Sequence, residues 1–482
     1  IVGPLVWESK ALLEACERHG VLVWQDLMLA NMDYPADDAA FMDDLRVEIS
    51  QQLSALQAHP CLALVCGNSE VAQQAAMWGA APATWRQPLF ESVLPAWVAA
   101  ELDVAYWPSS ASGGDFPHQP DQGTCSYYGI GAYRRSLDDA RHSGLRFASE
   151  CLGFANVPSD DALARLPAGR HAVLNRSAWK SRVPPDVGAG WDFDDVRDFY
   201  VEHLLGERAE SPRACDPQRY LALGRAASAE AMTRAFDQWR SSDSRCGGAL
   251  VWFLRDLWPG AGWGVLDDQG RPKAAFHALA RVLQPVWIGW VDNGLNGLQL
   301  HWINETARDI RATLKAQAWR HGKQTVARGA LPLHMPARAR GRVSLPELFD
   351  AFLDLNWAYR FGPVVAEVVQ ARLVDEQGEG GVLAAAISFP PELMSRRGPI
   401  GLQATASEES NDCVRLHLTT QAAALGVHFE AAGWAASDEY FHLAPGEERA
   451  VTFTRIPSSA RAIDAPWSTC VMALNSHEQL VL

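Results

Sequence analysis

The chain has 482 residues, and single hydrophobic cores stop growing near ~250–300 residues, so two or three domains are expected. Its composition, 48% hydrophobic and 21% charged, is that of an ordinary globular protein, and no apolar run approaches the ~18 residues of a membrane span. A formal charge of −15 argues against nucleic acid and membrane as partners, because a phosphate-binding surface needs a basic footprint, and it fits a neutral substrate.

Lys10 to His19 reads as a short helix stopped by Gly20, a glycine suited to the left-handed turn after a helix. Val21 to Trp24 follows as a buried strand ending in Gln25-Asp26. Asp37 or Asp38 caps the next helix, whose apolar residues Phe41, Leu45, Ile49, Leu53 and Leu56 recur at helical spacing until His59-Pro60 ends it. Leu62 to Cys66 is a second buried strand, running into Gly67-Asn68-Ser69-Glu70. Val104 to Trp107, Leu145 to Ala148 and Ala249 to Phe253 repeat the theme, and Pro217 to Arg240 is helical. Strands alternating with helices, with polar residues at the strand ends, predict a parallel α/β barrel of the TIM type over residues 1–290. After Pro285 the pattern changes to short alternating strands, among them Leu298 to Ile303, Val414 to Leu418 and Ala450 to Thr454. Two β-sandwich domains are expected there, 291–392 and 393–482, divided near Phe389-Pro390-Pro391.

Nine cysteines are an odd number and include no CxxC pair, which points to neither a zinc site nor a disulfide framework. Their burial in apolar contexts favours a reduced, cytoplasmic compartment. The chain opens on Ile1 directly into helical pattern, which reads as a fragment, with any targeting segment upstream of it. Nineteen tryptophans are the informative excess. Many belong to cores, but flat aromatic faces also suit the C–H faces of sugar rings, and several stand at strand ends beside carboxylates.

Glycoside hydrolysis needs two carboxyl groups flanking one bond, ~5–5.5 Å apart in the retaining mechanism. A barrel supplies them from the C-terminal ends of different strands. Glu70 and Glu150 both follow apolar strands and are framed by small residues, but Asp26 and Asp256 are rival strand-end carboxylates. Spacing alone narrows the pair without fixing it.

The motifs together resemble the β-mannosidases of glycoside hydrolase family 2. Gly20-Val-Leu-Val-Trp-Gln-Asp26 looks like their third barrel strand. Cys66-Gly-Asn-Ser-Glu70 is similar to their fourth-strand motif, whose Glu is the acid/base, and Tyr106-Trp-Pro-Ser-Ser110 to the segment after strand five. Arg146-Phe-Ala-Ser-Glu150 with Asn156-Val-Pro158 resembles strand seven, which carries the nucleophile. Gly248 to Pro259 and Lys273 to His277 resemble strand eight and the closing helix. The resemblance covers about 1–290 in the family's order and implies a barrel incomplete at its N-terminus, followed by immunoglobulin-like sandwiches.

It also implies roles. Glu70 is the acid/base and Glu150 the nucleophile of a retaining exo-β-glycosidase, releasing terminal β-mannose with no metal or organic cofactor; Glu70 starts protonated and Glu150 ionised. Two departures matter. Ser69 stands where the family usually has Asn, so the sugar contact falls to Ser69 through water or to Asn68. Ser126 stands where a His-Tyr pair is usual, leaving Tyr127, or Tyr128 if the register slips, to hydrogen-bond the nucleophile. Trp107 and Trp252 are candidate walls of the sugar pocket, with barrel packing as the plain alternative. Trp24, Asp26 and Asp256 are substrate-binding candidates weighed against structural roles. Trp78 either lines the mouth or packs a helix. Arg146 either lowers the pKa of Glu150 or pairs with another buried carboxylate. The expected partner is a β-mannoside or related oligosaccharide. An exo-β-glucosaminidase, which would favour an extra acidic residue near the 2-position, and a non-catalytic carbohydrate-binding relative are the competing readings.

Overall fold

The computed structural model describes residues 6–185, 188–376, 380–456 and 467–482. It divides into two compact units: one takes the chain up to Gly129 together with Asp139–Leu152 and Arg245–Trp252, and the other takes Ile130–Asp138, Gly153–Ser244 and everything from Phe253 onward.

The first unit holds six strands in two three-stranded sheets, every pairing parallel. One sheet contains β1 (Val23–Asp26), β2 (Leu62–Cys66) and β3 (Ala105–Trp107); the other contains β4 (Cys125–Tyr127), β5 (Ala148–Cys151) and β6 (Ala249–Val251). The helices form where local chemistry starts and stops them. Helix α1 (Lys10–His19) begins at Ser9, whose side chain accepts from the Leu12 N–H, and ends at Gly20 with φ 67°. Helix α2 (Ala39–Leu56) begins at Asp38, which accepts from the Ala40 and Phe41 N–H groups. It buries Leu45, Ile49, Leu53 and Leu56 in one core with Leu13, Val23 and Val65.

Two strand positions differ from the sequence reading. The fifth strand starts at Ala148 rather than Leu145, because Arg146 N–H is drawn to Pro120 O, outside the sheet. Glu150 therefore lies within β5 rather than after it. The short strand β4 carries only three residues, too few for an alternation to stand out in the sequence.

In the second unit the longest helix, Pro217–Arg240, is capped by Asp216 and opens with Pro217. Toward its C-terminus lie two antiparallel sandwiches. The first pairs a three-stranded sheet (Val286–Asp292, Leu298–Asn304, Ala339–Ser344) with a four-stranded one (Ile310–Arg320, Gln324–Met335, Val368–Asp375, Val382–Ser388) around one core. The second has two four-stranded sheets between Gln403 and Val481 with its own core. Val286–Asp292 pairs with Leu298–Asn304, so the pattern change at Pro285, rather than residue 290, marks where the sandwich strands begin.

Candidate active site

In the first unit β1, β2 and β5 bring three carboxylates toward one place. Glu70 is four residues beyond β2. The turn that carries it relies on Gly67, where a Cβ would meet Tyr106 Oη at 2.2 Å and Pro108 O at 2.6 Å. Asn68 ties this turn to the next loop: its Nδ2 donates to Pro108 O (3.0 Å), and its Oδ1 accepts from Ser109 Oγ (2.8 Å) and Val71 N (3.0 Å). Glu70 itself adopts φ 61°, in the left-handed region that costs a non-glycine residue about 1–3 kcal/mol. Its N–H donates to Ser110 Oγ (3.2 Å), and its two carboxylate oxygens accept from the Gln73 and Gln74 amides (3.0 and 3.1 Å) on the helix it begins, α3 (Val71–Met77).

Glu150 is buried, 7% exposed. Tyr128 Oη donates to its Oε2 at 2.7 Å, and the Ser69 hydroxyl bonds to it as well. Burial pushes the Glu150 carboxyl up to about 8, and the charge of Glu70 pushes in the same direction, outweighing the two hydrogen bonds. Asp26 adds a smaller push of the same sign. Burial, above all, and the charges of Glu150 and Glu70 raise the Tyr128 hydroxyl well above its ordinary value, so it remains a donor.

Asp26 is fully buried. Trp24 Nε1 donates to its Oδ1 at 2.7 Å, while Oδ2 has no hydrogen-bond partner. Burial raises its carboxyl to about 7. The Trp24 ring lies half-buried and stacks on Phe147, centroids 5.8 Å apart. Trp107, also half-buried, fixes its ring by donating Nε1 to Thr124 Oγ1 (2.9 Å). Trp252 is half-buried, its backbone N–H donating to Cys151 O (2.9 Å) just past Glu150. Ser126 pairs with Glu150 in the sheet, and its Oγ is buried without a hydrogen-bond partner.

Several expectations need correction. Tyr127 does not hold Glu150: its hydroxyl donates to Asp139 Oδ2 at 2.6 Å. The reason is strand parity, because Tyr127 pairs with Cys151 and Ser126 with Glu150, so Tyr128, two residues beyond Ser126, shares the Glu150 face. Asn68 has both ends of its amide engaged by protein, which lets it position the turn that carries Glu70. Asp256 lies in the second unit, where its Oδ2 accepts from Lys273 Nζ (2.5 Å) and its Oδ1 from Gly264 N–H (2.7 Å). With both oxygens held it is a structural hub, not a hydroxyl ligand. Arg146 is exposed and is not a cause of the Glu150 shift, which runs upward rather than downward. Glu150, expected to start ionised, has its carboxyl pushed upward by burial. Trp78 neither packs a helix nor is enclosed, being 88% exposed. Sequence reasoning missed Gln73, Gln74 and Ser110; the i+3 and i+4 spacing of the two glutamines from Glu70 was the available signal.

Among known proteins, the Ig_mannosidase model, an Ig-fold domain, matches residues 399–468. The chain is 27% identical over 307 residues to β-mannosidase B of Emericella nidulans, covering 60% of this chain and 35% of that protein. It is 25% identical over 496 residues to β-mannosidase B of Aspergillus terreus, covering 95% of this chain and 56% of that one. The chain thus spans about a third to about half of the length of these relatives. In fold it is similar to the β-D-mannosidase of Dictyoglomus thermophilum, with TM-score 0.79, 19% identity, and coverage of 98% of this chain and 55% of that one. It is also similar to the exo-chitosanase of Amycolatopsis orientalis, with TM-score 0.70, 13% identity, and coverage of 98% and 59%. In sequence and in fold the chain is thus similar to β-mannosidases.

Proposed function

We propose that this chain carries the catalytic strands of a retaining exo-β-glycosidase, a β-mannosidase in particular, with Glu70 as acid/base and Glu150 as nucleophile. The observation that carries the reading is the electrostatic coupling of two strand-end glutamates: the charge of Glu70 is the second largest cause of the raised Glu150 carboxyl. The charge of Glu70 thus favours the protonated form of Glu150, the push expected of two carboxyls facing one site. We read the six parallel strands as consecutive strands of a (β/α)8 barrel, with the catalytic domain running to Pro285 and sandwiches over about 286–392 and 393–482.

The chemistry follows from that pairing. Glu150 attacks only as an anion, so substrate entry transfers the proton to Glu70, while Tyr128 and Ser69 stabilise the Glu150 charge. Glu70 then protonates the glycosidic oxygen as Glu150 bonds to the anomeric carbon. In the second step Glu70, now a base, takes a proton from water, which displaces Glu150 with net retention. These steps require no cofactor. An exo-β-glucosaminidase is the second reading, favoured by one observation: the buried Asp26 with its unpartnered Oδ2 is an extra acidic group coupled to both glutamates. Turnover of an aryl β-glucosaminide in place of the aryl β-mannoside would select it.

Azide distinguishes the two glutamates in the full-length protein. Glu150→Ala should abolish hydrolysis, and azide should restore turnover to the α-glycosyl azide by a single inversion. Glu70→Ala should still glycosylate Glu150 from an activated aryl mannoside, and azide should then yield the β-glycosyl azide. Exchanged anomers would exchange the roles, and wild-type rates in both variants would end the glycosidase reading.

A further inference from the structure

Glu70 stands at the head of α3 without capping it. A carboxylate in that place ordinarily accepts from the N–H groups of the first turn, but the Glu70 side chain, on a backbone at φ 61°, makes no such bond. Among the described residues the donors to its carboxylate are two carboxamides of the same helix: Gln73 Nε2 reaches Oε1 at 3.0 Å, and Gln74 Nε2 reaches Oε2 at 3.1 Å. Spacings of three and four residues put both amides on the face of α3 that lies next to Glu70. Gln73 is 6% exposed, and its own Oε1 has no hydrogen-bond partner. A buried amide with an idle acceptor costs free energy, so the bond to Glu70 is the one that this burial serves. The backbone of Glu70 is held separately, its N–H donating to Ser110 Oγ at 3.2 Å.

We propose that Gln73 and Gln74 are positioning residues that clamp the Glu70 carboxylate and set the pH range over which Glu70 can give a proton to the leaving group. Resting on the glycosidase reading above, this role adds to the site two residues that no strand carries. Glu150 on β5, Asp26 at the end of β1 and the Tyr128 hydroxyl all feel the charge of Glu70. All three are acids, so an anion at Glu70 needs donors to persist beside them. A lysine or arginine would supply those donors with a full charge and hold the carboxylate as a lasting anion, a poor proton donor. Amides donate without adding charge, so Glu70 can take up a proton and release it within one turnover. Holding both oxygens also fixes the plane of the carboxylate, as alternation between acid and base on one bond requires.

Profiles of kcat/KM against pH in the full-length protein, with two glycosyl donors, test this role. Dinitrophenyl β-mannoside departs without protonation, and its turnover by the wild type supports the glycosidase reading by itself. Phenyl β-mannoside needs the proton, so the basic limb of its profile reports the acid form of the site. Gln73→Met and Gln74→Met each remove one N–H donor from the anion and should move that limb to higher pH by about one to two units. Gln74→Lys puts a cation beside the same oxygen and should move it to lower pH. In all three variants kcat/KM for the dinitrophenyl donor should stay near the wild-type value. If the buried Gln73→Met fails to fold, the half-buried Gln74 decides through its two variants. Limbs that stay in place in the folded variants, or equal losses on both donors, overturn the clamp and leave the glycosidase reading standing. A wild type inert toward the dinitrophenyl donor brings down both.

Discussion

Tyr128 and Tyr127 are neighbours in sequence with opposite duties, and pH separates them. The acid limb of kcat/KM reports the proton that must leave the free Glu70–Glu150 pair before Glu150 can attack. The hydrogen bond from Tyr128 stabilises the Glu150 anion and works against the burial that raises this carboxyl to about 8. Removing it leaves the weaker Ser69 hydrogen bond to oppose the upward push. Tyr128→Phe should therefore move the acid limb to higher pH by about one to two pH units, the equivalent of a charge-assisted hydrogen bond of about 1.5–3 kcal/mol. Tyr127→Phe removes only the bond to Asp139, so its limb should stay where it is in the wild type; a limb that moved in Tyr127→Phe alone would restore the sequence expectation. Glu70 and Glu150 stood out in the sequence as candidates because whole motifs around them resemble a family's in order. Their rivals Asp26 and Asp256 were not separable by position, since burial by Trp24 or pairing with Lys273 is a long-range fact. Tyr128 stood only as the alternative to Tyr127, because its face depends on a register that a three-residue strand does not announce.

At the level of elements, helices were the most legible. Ser9, Gly20, Asp38 and Asp216 each start or stop a helix through their own side chain or backbone, a signal confined to a few residues. The Asp256–Lys273 pair was not legible, because it joins a loop to the helix Ala274–Val282 through tertiary packing. Lys273 Nζ also donates to Asn156 O at 2.9 Å, so one ammonium fastens three segments of the second unit. Both members of the pair are buried, and burial raises the Asp256 carboxyl and lowers the Lys273 amine. Lys273→Met would strand a buried carboxylate and should cost about 3–5 kcal/mol of unfolding free energy in denaturant titration. Adding Asp256→Asn removes the stranded charge and should recover much of that loss; a double variant as unstable as Lys273→Met would show that the charge pair is not what matters there.

Across the whole molecule, the size limit on a single core predicts several cores, and among the described residues there are clusters that share no residue. Sandwich character was visible in the alternating strands after Pro285, whereas sheet membership was not, because antiparallel partners such as Cys413–Thr419 and Glu448–Arg455 are set by long-range register. Separate cores imply separate opening reactions. Leu416 sits at 0% exposure in the core of the second sandwich, among Val414, Val451 and Phe453. Leu416→Ala should remove about 2–5 kcal/mol from the opening of that sandwich, through lost burial and the cavity left behind. Hydrogen exchange followed by mass spectrometry reads this segment by segment. Strands between Gln403 and Val481 should exchange faster by a factor of thirty or more, on the order of 2 kcal/mol. Peptides from β1 and β2, packed in a different core, should keep wild-type protection, because their cluster and the altered one share no residue. Acceleration of equal size in β1, β2 and the sandwich would mean that the chain opens as one cooperative body, and the division into independent cores would have no energetic meaning.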